Sequence, residues 1–196
     1  GSSNTAVGHL SLRANTTAFG NTAVGTESLI ASTTGDSNTA IGFKALCTNT
    51  TANENTAVGA SALRYNTTGT RNVAVGKNAF LSSTTASDSV MIGFTAGDAI
   101  TTGTSNTGVG SDVMTATTTG NQNIAMGGST LGSNTTGSCN TAVGFQSMLG
   151  NTTSDNNTAF GYKALLTQVA DGARNTAIGL CALHGNTSGD DNVAVG

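Results

Sequence analysis

The chain has 196 residues, of which only 9% are charged, with seven Lys or Arg against ten Asp or Glu for a net charge of −3, no Pro and no Trp. That charge content is far below the usual quarter, and no basic run interleaved with aromatic residues occurs, so the sequence carries no electrostatic footprint for nucleic acid. No apolar run is long enough to cross a membrane, and no secretory-signal pattern occurs in these residues.

From the first residues onward one unit dominates. Asn4-Thr5-Ala6-Val7-Gly8 returns at Asn21, Asn38, Asn55, Asn72, Ser89, Asn106, Asn123, Asn140, Asn157, Asn175 and Asn192, giving 12 copies spaced by 17 residues, except for 18 between Asn157 and Asn175. A short fixed period means an array of units that each touch mainly their neighbours. The expected organisation is a single β-solenoid over residues 1–196, with 11 full coils plus a partial one. Gly1-Ser2-Ser3 fits the end of a preceding unit and Gly196 falls in mid-repeat, which reads as a stretch of a longer fibre.

Numbering each repeat from its Asn, the consensus is N-T-A-V-G-x-x-A-L-x-x-N-T-T-G-x-x. Thr, Asn and Gly at this density form helices poorly, and no 3.6-residue apolar stripe survives the glycines. β-branched residues surround position four, as in a strand. The fold class expected is all-β, a parallel solenoid or β-roll of stacked two-strand coils. Position five is Gly8, Gly25, Gly42, Gly59, Gly76, Gly93, Gly110, Gly127, Gly144, Gly161, Gly179 and Gly196. A glycine at one point of every coil implies positive φ or a contact too close for a Cβ.

Two columns are expected to fill the coil. Position four holds Val7, Val24, Ile41, Val58, Val75, Ile92, Val109, Met126, Val143, Phe160, Ile178 and Val195. Position nine holds Leu12, Leu29, Leu46, Leu63, Phe80, Met114, Leu131, Met148, Leu165 and Leu183. Strand residues alternate faces, so the small column Ala6, Ala23, Ala40, Ala57, Ala74, Ala125, Ala142, Ala159 and Ala177 at position three is expected to point outward, against a neighbouring chain. Two irregular coils stand out. Gly97 replaces the leucine of one coil while Ile100 stands where Asn or Ser is usual, and an extra residue near Val169–Gly172 reads as a bulge or longer turn.

Candidates for chemistry are few. Cys47, Cys139 and Cys181 lie coils apart, too far for an intrachain disulfide, and without a CxxC pair they make no zinc site. His9 and His184 stand at opposite ends, so no catalytic triad and no shared metal follows; no cofactor is expected. Asp36, Glu54, Asp88, Asp155, Asp190 and Asp191 precede the repeat Asn and read as solvated turn acids, with calcium as the alternative. Phe43, Phe94, Phe145 and Tyr162 share position six, as a receptor or glycan contact or as packing against a neighbour. Stacked threonines at positions thirteen and fourteen, such as Thr16 with Thr33 and Thr17 with Thr34, are similar to ice-binding faces. Asn15, Asn49, Asn66, Asn134, Asn151 and Asn186 open formal N-glycosylation acceptors, or form an Asn ladder with turn bonds.

The run Asn38-Thr39-Ala40-Ile41-Gly42-Phe43-Lys44-Ala45-Leu46 resembles repeats in tail-fibre proteins of phages and large viruses. It is also similar to the Ser-Val-Ala-Ile-Gly repeats of YadA-type trimeric adhesin heads. The resemblance covers the whole chain and implies a left-handed parallel β-roll, three chains side by side, serving attachment or display outside the cell or on a virion, with no catalytic residues. The 17-residue period departs from the adhesin head's unit. Independently, one Val and one Leu per coil, about 1.5–3 kcal/mol each, do not offset the ordering of 17 backbone residues, which points to an obligate homo-oligomer, a trimer. The reading is a structural or adhesive fibre segment. The alternatives are an ice-binding solenoid and a self-assembling extracellular filament.

Overall fold

A computed structural model describes residues 1–168 and 172–196. Twelve three-residue strands run in chain order: β1 (Thr5–Val7), β2 (Thr22–Val24), β3 (Thr39–Ile41), β4 (Thr56–Val58), β5 (Val73–Val75), β6 (Val90–Ile92), β7 (Thr107–Val109), β8 (Ile124–Met126), β9 (Thr141–Val143), β10 (Thr158–Phe160), β11 (Thr176–Ile178) and β12 (Val193–Val195). They form one parallel sheet in sequence order. Repeat pairs with repeat, so that Ala6 faces Ala23 and Val7 faces Val24 across the first ladder. The chain is a parallel β-solenoid with coils of about 17 residues. Strands about 4.8 Å apart make a rod roughly 50 Å long.

Each coil has one regular strand where two were expected. The remainder is turn, yet it is still bonded to the next coil: Leu63 N–H donates to Ala79 O at 3.0 Å and Thr67 N–H to Thr84 O at 2.9 Å. The reason lies in the dihedrals. Positions five, seven and nine alternate into positive φ, as with Gly42 (136°), Lys44 (56°) and Leu46 (49°). A left-handed residue costs about 1–2 kcal/mol when it is not Gly, and at position nine this is offset by burying the leucine, about 1.5–3 kcal/mol. The glycine requirement at position five is twofold. Every one of the 12 has φ between 125° and 143°, and a Cβ on Gly42 would lie 2.5 Å from Gly59 O.

The two faces of the strand are reversed relative to the sequence expectation. The alanines expected between chains are interior: Ala23, Ala40, Ala57, Ala74, Ala125, Ala142, Ala159 and Ala177 are buried, and Ala6 in the first coil is exposed. The position-four residues expected inside face out. Val7, Ile41, Ile92, Met126, Phe160, Ile178 and Val195 are exposed, and Val24, Val58, Val75, Val109 and Val143 are half-buried. Position nine is interior as expected, with Leu29, Leu46, Leu63, Leu131 and Leu165 fully covered, Leu12 at the edge of burial and Leu183 partly buried against the core.

The irregular coil explains why. A coil this thin has room for one large side chain between its walls, and leucine at position nine occupies it against alanine at position three. In the coil from Ser89 the sizes are exchanged. Met91 is large at position three and Gly97 empty at position nine, so that a Cβ on Gly97 would lie 2.6 Å from Met91 Sδ and 3.0 Å from Ile100 Cδ1. The next coil yields space with Gly108, where a Cβ would sit 2.8 Å from that same sulfur. Ile100 is fully buried and shares the filling. Positions 169–171 of the bulge near Val169–Gly172 lie outside the described residues. On either side of it the ladder keeps step, since Thr158 pairs with Thr176.

Candidate functional site

With the alanines inside, the outward face of the sheet is made of positions two and four of each strand and position six beyond the glycine. Position two is Thr in eight of the 12 copies and Val or Ile in the rest. Phe43, Phe94, Phe145 and Tyr162 stand at the edge of this face and are about half exposed. Phe145 and Tyr162, on successive coils, stack with centroids 5.9 Å apart and planes 15° from parallel. Phe43 and Phe94 are three coils apart and each has a lysine over its ring, Lys44 at 5.0 Å and Lys77 at 6.0 Å. Across positions two, four and six, Lys77 is the one Lys, Arg, Asp or Glu. The strip is apolar at position four throughout, threonine-rich at position two, and nearly free of charge along the length of the sheet.

The opposite walls are polar and carry two side-chain ladders. Position one forms a buried asparagine ladder: Asn72 Nδ2 donates to Ala86 O at 2.8 Å, closing its own coil, and Asn72 Oδ1 accepts the Ser89 N–H at 3.1 Å from the next. A second ladder runs through position twelve, where Asn66 Nδ2 donates both to Gly69 O at 2.9 Å and to Asn49 Oδ1 at 3.0 Å. The position-thirteen threonines are also committed to the rod. Thr16, Thr33, Thr50 and Thr67 each donate their hydroxyl to the carbonyl one coil on, at 2.9–3.4 Å. Of the two stacked threonine columns, one of which is expected to face outward, the position-fourteen column, as in Thr34, Thr51 and Thr68, is the exposed one.

Five of the six turn acids, Glu54 being the other, bond to an adjacent coil. Asp36, Asp155 and Asp190 accept backbone N–H bonds from Phe19, Ser138 and Ala173 of the preceding coil at 2.6–2.8 Å. Asp88 and Asp191 take bidentate bonds from Arg71 and Arg174, which hold both carboxyls below their ordinary range. Among the described residues no group of three or more His, Cys, Asp or Glu could hold a metal ion. Asp98 differs: burial pushes its carboxyl up, against the hydrogen bonds from its own and the Ala99 backbone, and Oδ1 has no partner among the described residues. Cys47, Cys139 and Cys181 are free thiols, with Cys47 raised chiefly by burial. His9 and His184 lie in the first and last full coils.

The outward face was missed from sequence because the larger apolar residue was assigned to the interior. The signal that could have found it is Met91 and Gly97 within one repeat, a large-for-small exchange that places positions three and nine opposite each other. Asn156 was also missed; Asn156-Asn157-Thr158 is a seventh acceptor triplet, overlooked because it overlaps the repeat motif.

No protein family matches the sequence, and no curated protein and no solved structure matches the chain. The fold and this surface define a repetitive parallel β-solenoid whose strand face is nearly uncharged and largely apolar and whose remaining walls carry asparagine ladders.

Proposed function

We propose that this chain is a structural fibre segment, a rod that spaces or presents binding elements outside the cell or on a virion, with copies packed side by side as a homotrimer through the strand face. The reading is not catalytic, and the observation that supports it is the nearly uncharged, largely apolar strip along the whole sheet. A face roughly 50 Å by 13 Å has a projected area of about 650 Å², close to the 800 Å² or so that one partner contributes to a stable interface. Its ridges repeat at the strand spacing, so a partner with that same spacing can seat side chains between every pair of rows. A second copy of the chain has it. In this arrangement Phe43, Phe94, Phe145 and Tyr162 border the interface, where they pack against the neighbour or remain available to a receptor or glycan.

Light scattering after size exclusion tests the reading. A mass near three times 19.2 kDa is expected. Val109→Lys with Val143→Lys, placing charges in mid-face, should reduce it to that of one chain, whereas Thr68→Lys with Thr102→Lys on the exposed position-fourteen column should leave it unchanged. A stable wild-type monomer would overturn the proposal and make thermal hysteresis the next measurement.

A further inference from the structure

The seven Asn-x-Ser/Thr triplets are chemically alike in sequence and unlike in the fold. Asn49, Asn66, Asn134 and Asn151 have no exposed surface. Their amide nitrogens are spent inside the coil. Asn66 Nδ2 donates to Gly69 O and Asn49 Oδ1, Asn151 Nδ2 to Ser154 O at 3.1 Å and Asn134 Oδ1 at 3.2 Å. Asn134 Nδ2 donates to Gly137 O at 3.0 Å and Thr117 Oγ1 at 3.4 Å, and Asn49 Nδ2 to Ala52 O at 3.1 Å. Asn156 stands outside this pattern. It is exposed at position seventeen, with φ of 61° that Asn tolerates, and its side chain makes no hydrogen bond among the described residues.

We propose that N-glycosylation at Asn49, Asn66, Asn134 or Asn151 and folding of this rod are mutually exclusive, and that Asn156 is an acceptor whose glycan the folded rod accommodates. The transfer joins Nδ2 to the sugar C1 of a lipid-pyrophosphate-linked oligosaccharide; the lipid pyrophosphate leaves and the amide gives up one proton to the transferase. At Asn66 that proton is one of two already donated in the ladder, and the sugar would occupy the core between two coils. The coil then cannot close, and because each coil templates the next, the defect reaches its neighbours. At Asn156 the sugar projects into solvent. Folding of this rod therefore requires those four asparagines unmodified, as in a compartment without N-glycosylation, or closure of the coils before the transferase reaches them.

The experiment glycosylates the whole unfolded chain in vitro with an oligosaccharyltransferase and a lipid-linked donor, then refolds it by dilution. Protease-resistant and protease-sensitive fractions are separated, and site occupancy in each is read by mass spectrometry. Occupancy at Asn49, Asn66, Asn134 and Asn151 should be confined to the sensitive fraction, depleted at least tenfold from the resistant one, while Asn156 is occupied equally in both. The variant Thr17→Val, Thr51→Val, Thr68→Val, Thr136→Val, Thr153→Val, Ser188→Val removes the acceptor hydroxyls at exposed positions, leaves Asn156 as the one acceptor, and should refold after the same treatment as fully as untreated chain. Glycan at any of the four asparagines in the resistant fraction, or exclusion of Asn156 glycan from it, would overturn the proposal.

Discussion

Single asparagines hold this rod in register, and the places where they fail are informative. In the position-twelve column the asparagine oxygens without a partner among the described residues are Asn15 Oδ1, Asn66 Oδ1 and Asn151 Oδ1. Each is followed one coil later by a residue other than Asn, namely Ser32, Ser83 and Gln168. The ladder breaks where the next side chain is not an asparagine. Ser32 lies between Asn15 and Asn49, and its own Oγ is unpaired. Ser32→Asn should let the new amide donate to Asn15 Oδ1 and accept from Asn49, removing two orphaned groups. A gain of about 1–2 kcal/mol is expected, read as a higher denaturant midpoint at unchanged slope. Asp98 gives a second test through pH. Its folded carboxyl holds a proton to higher pH than the unfolded chain does, so ionisation opposes folding as pH rises from the ordinary carboxylate value through the raised one. Asp98→Asn removes that loss. Its melting temperature should exceed the parent's at about pH 7 and match it near pH 3, where Asp98 is protonated in both states. A variant equal or lower at neutral pH would show that the carboxylate is stabilising.

At the scale of the coil, size complementarity across a thin core decides which way the strand faces. Met91 against Gly97, with Gly108 below, is one coil's solution to the same volume that Ala and Leu fill elsewhere. Gly97→Leu alone should overpack the core and cost about 1–3 kcal/mol, and Met91→Ala alone should leave a cavity costing about 2–5 kcal/mol. Combined, they restore the common Ala and Leu at positions three and nine beside the retained Ile100 and Gly108, and the coupling in a double-mutant cycle should be at least about 1 kcal/mol in the favourable direction. Additive costs would place the two side chains out of contact. The period, the glycine column, the leucine column and the solenoid itself were legible in the sequence because each is a repeated demand of one backbone. The strand's facing was not, because alternation says only that positions three and four are opposite. Burial of Val over Ala is the better default when both faces have room, and here the leucine had already taken it. The single strand per coil was hidden for a related reason: Lys44 and Leu46 at positive φ carry no sequence signature.

For the whole molecule, a repeated ladder makes stability a sum over neighbouring coils rather than a property of one core. Removal of one complete repeat should therefore subtract one coil and leave the rest intact. Excision of 123–139 joins Gln122 to Asn140, so that Asn106 Oδ1, which accepts the Asn123 N–H at 2.9 Å, meets the equivalent N–H of Asn140. At about 0.05–0.15 kcal/mol per residue, the loss should be about 1–3 kcal/mol, with the circular dichroism spectrum unchanged in shape. Excision of 122–139 removes one residue more and leaves a 16-residue coil without its position-seventeen turn, where Gln122 has φ of 57° and its N–H donates to Thr104 O at 3.0 Å. The position-one asparagine can then close its own coil or meet its neighbour, but not both, and a further loss of about 2 kcal/mol or more is expected. The chain already tolerates a coil one residue longer, between Asn157 and Asn175, where Asn175 N–H still reaches Asn157 Oδ1 at 2.9 Å. A longer coil can loop outward and keep its ladder, whereas a shorter one has no slack to give. Equal stability of the two excisions would mean that the ladders do not set the period.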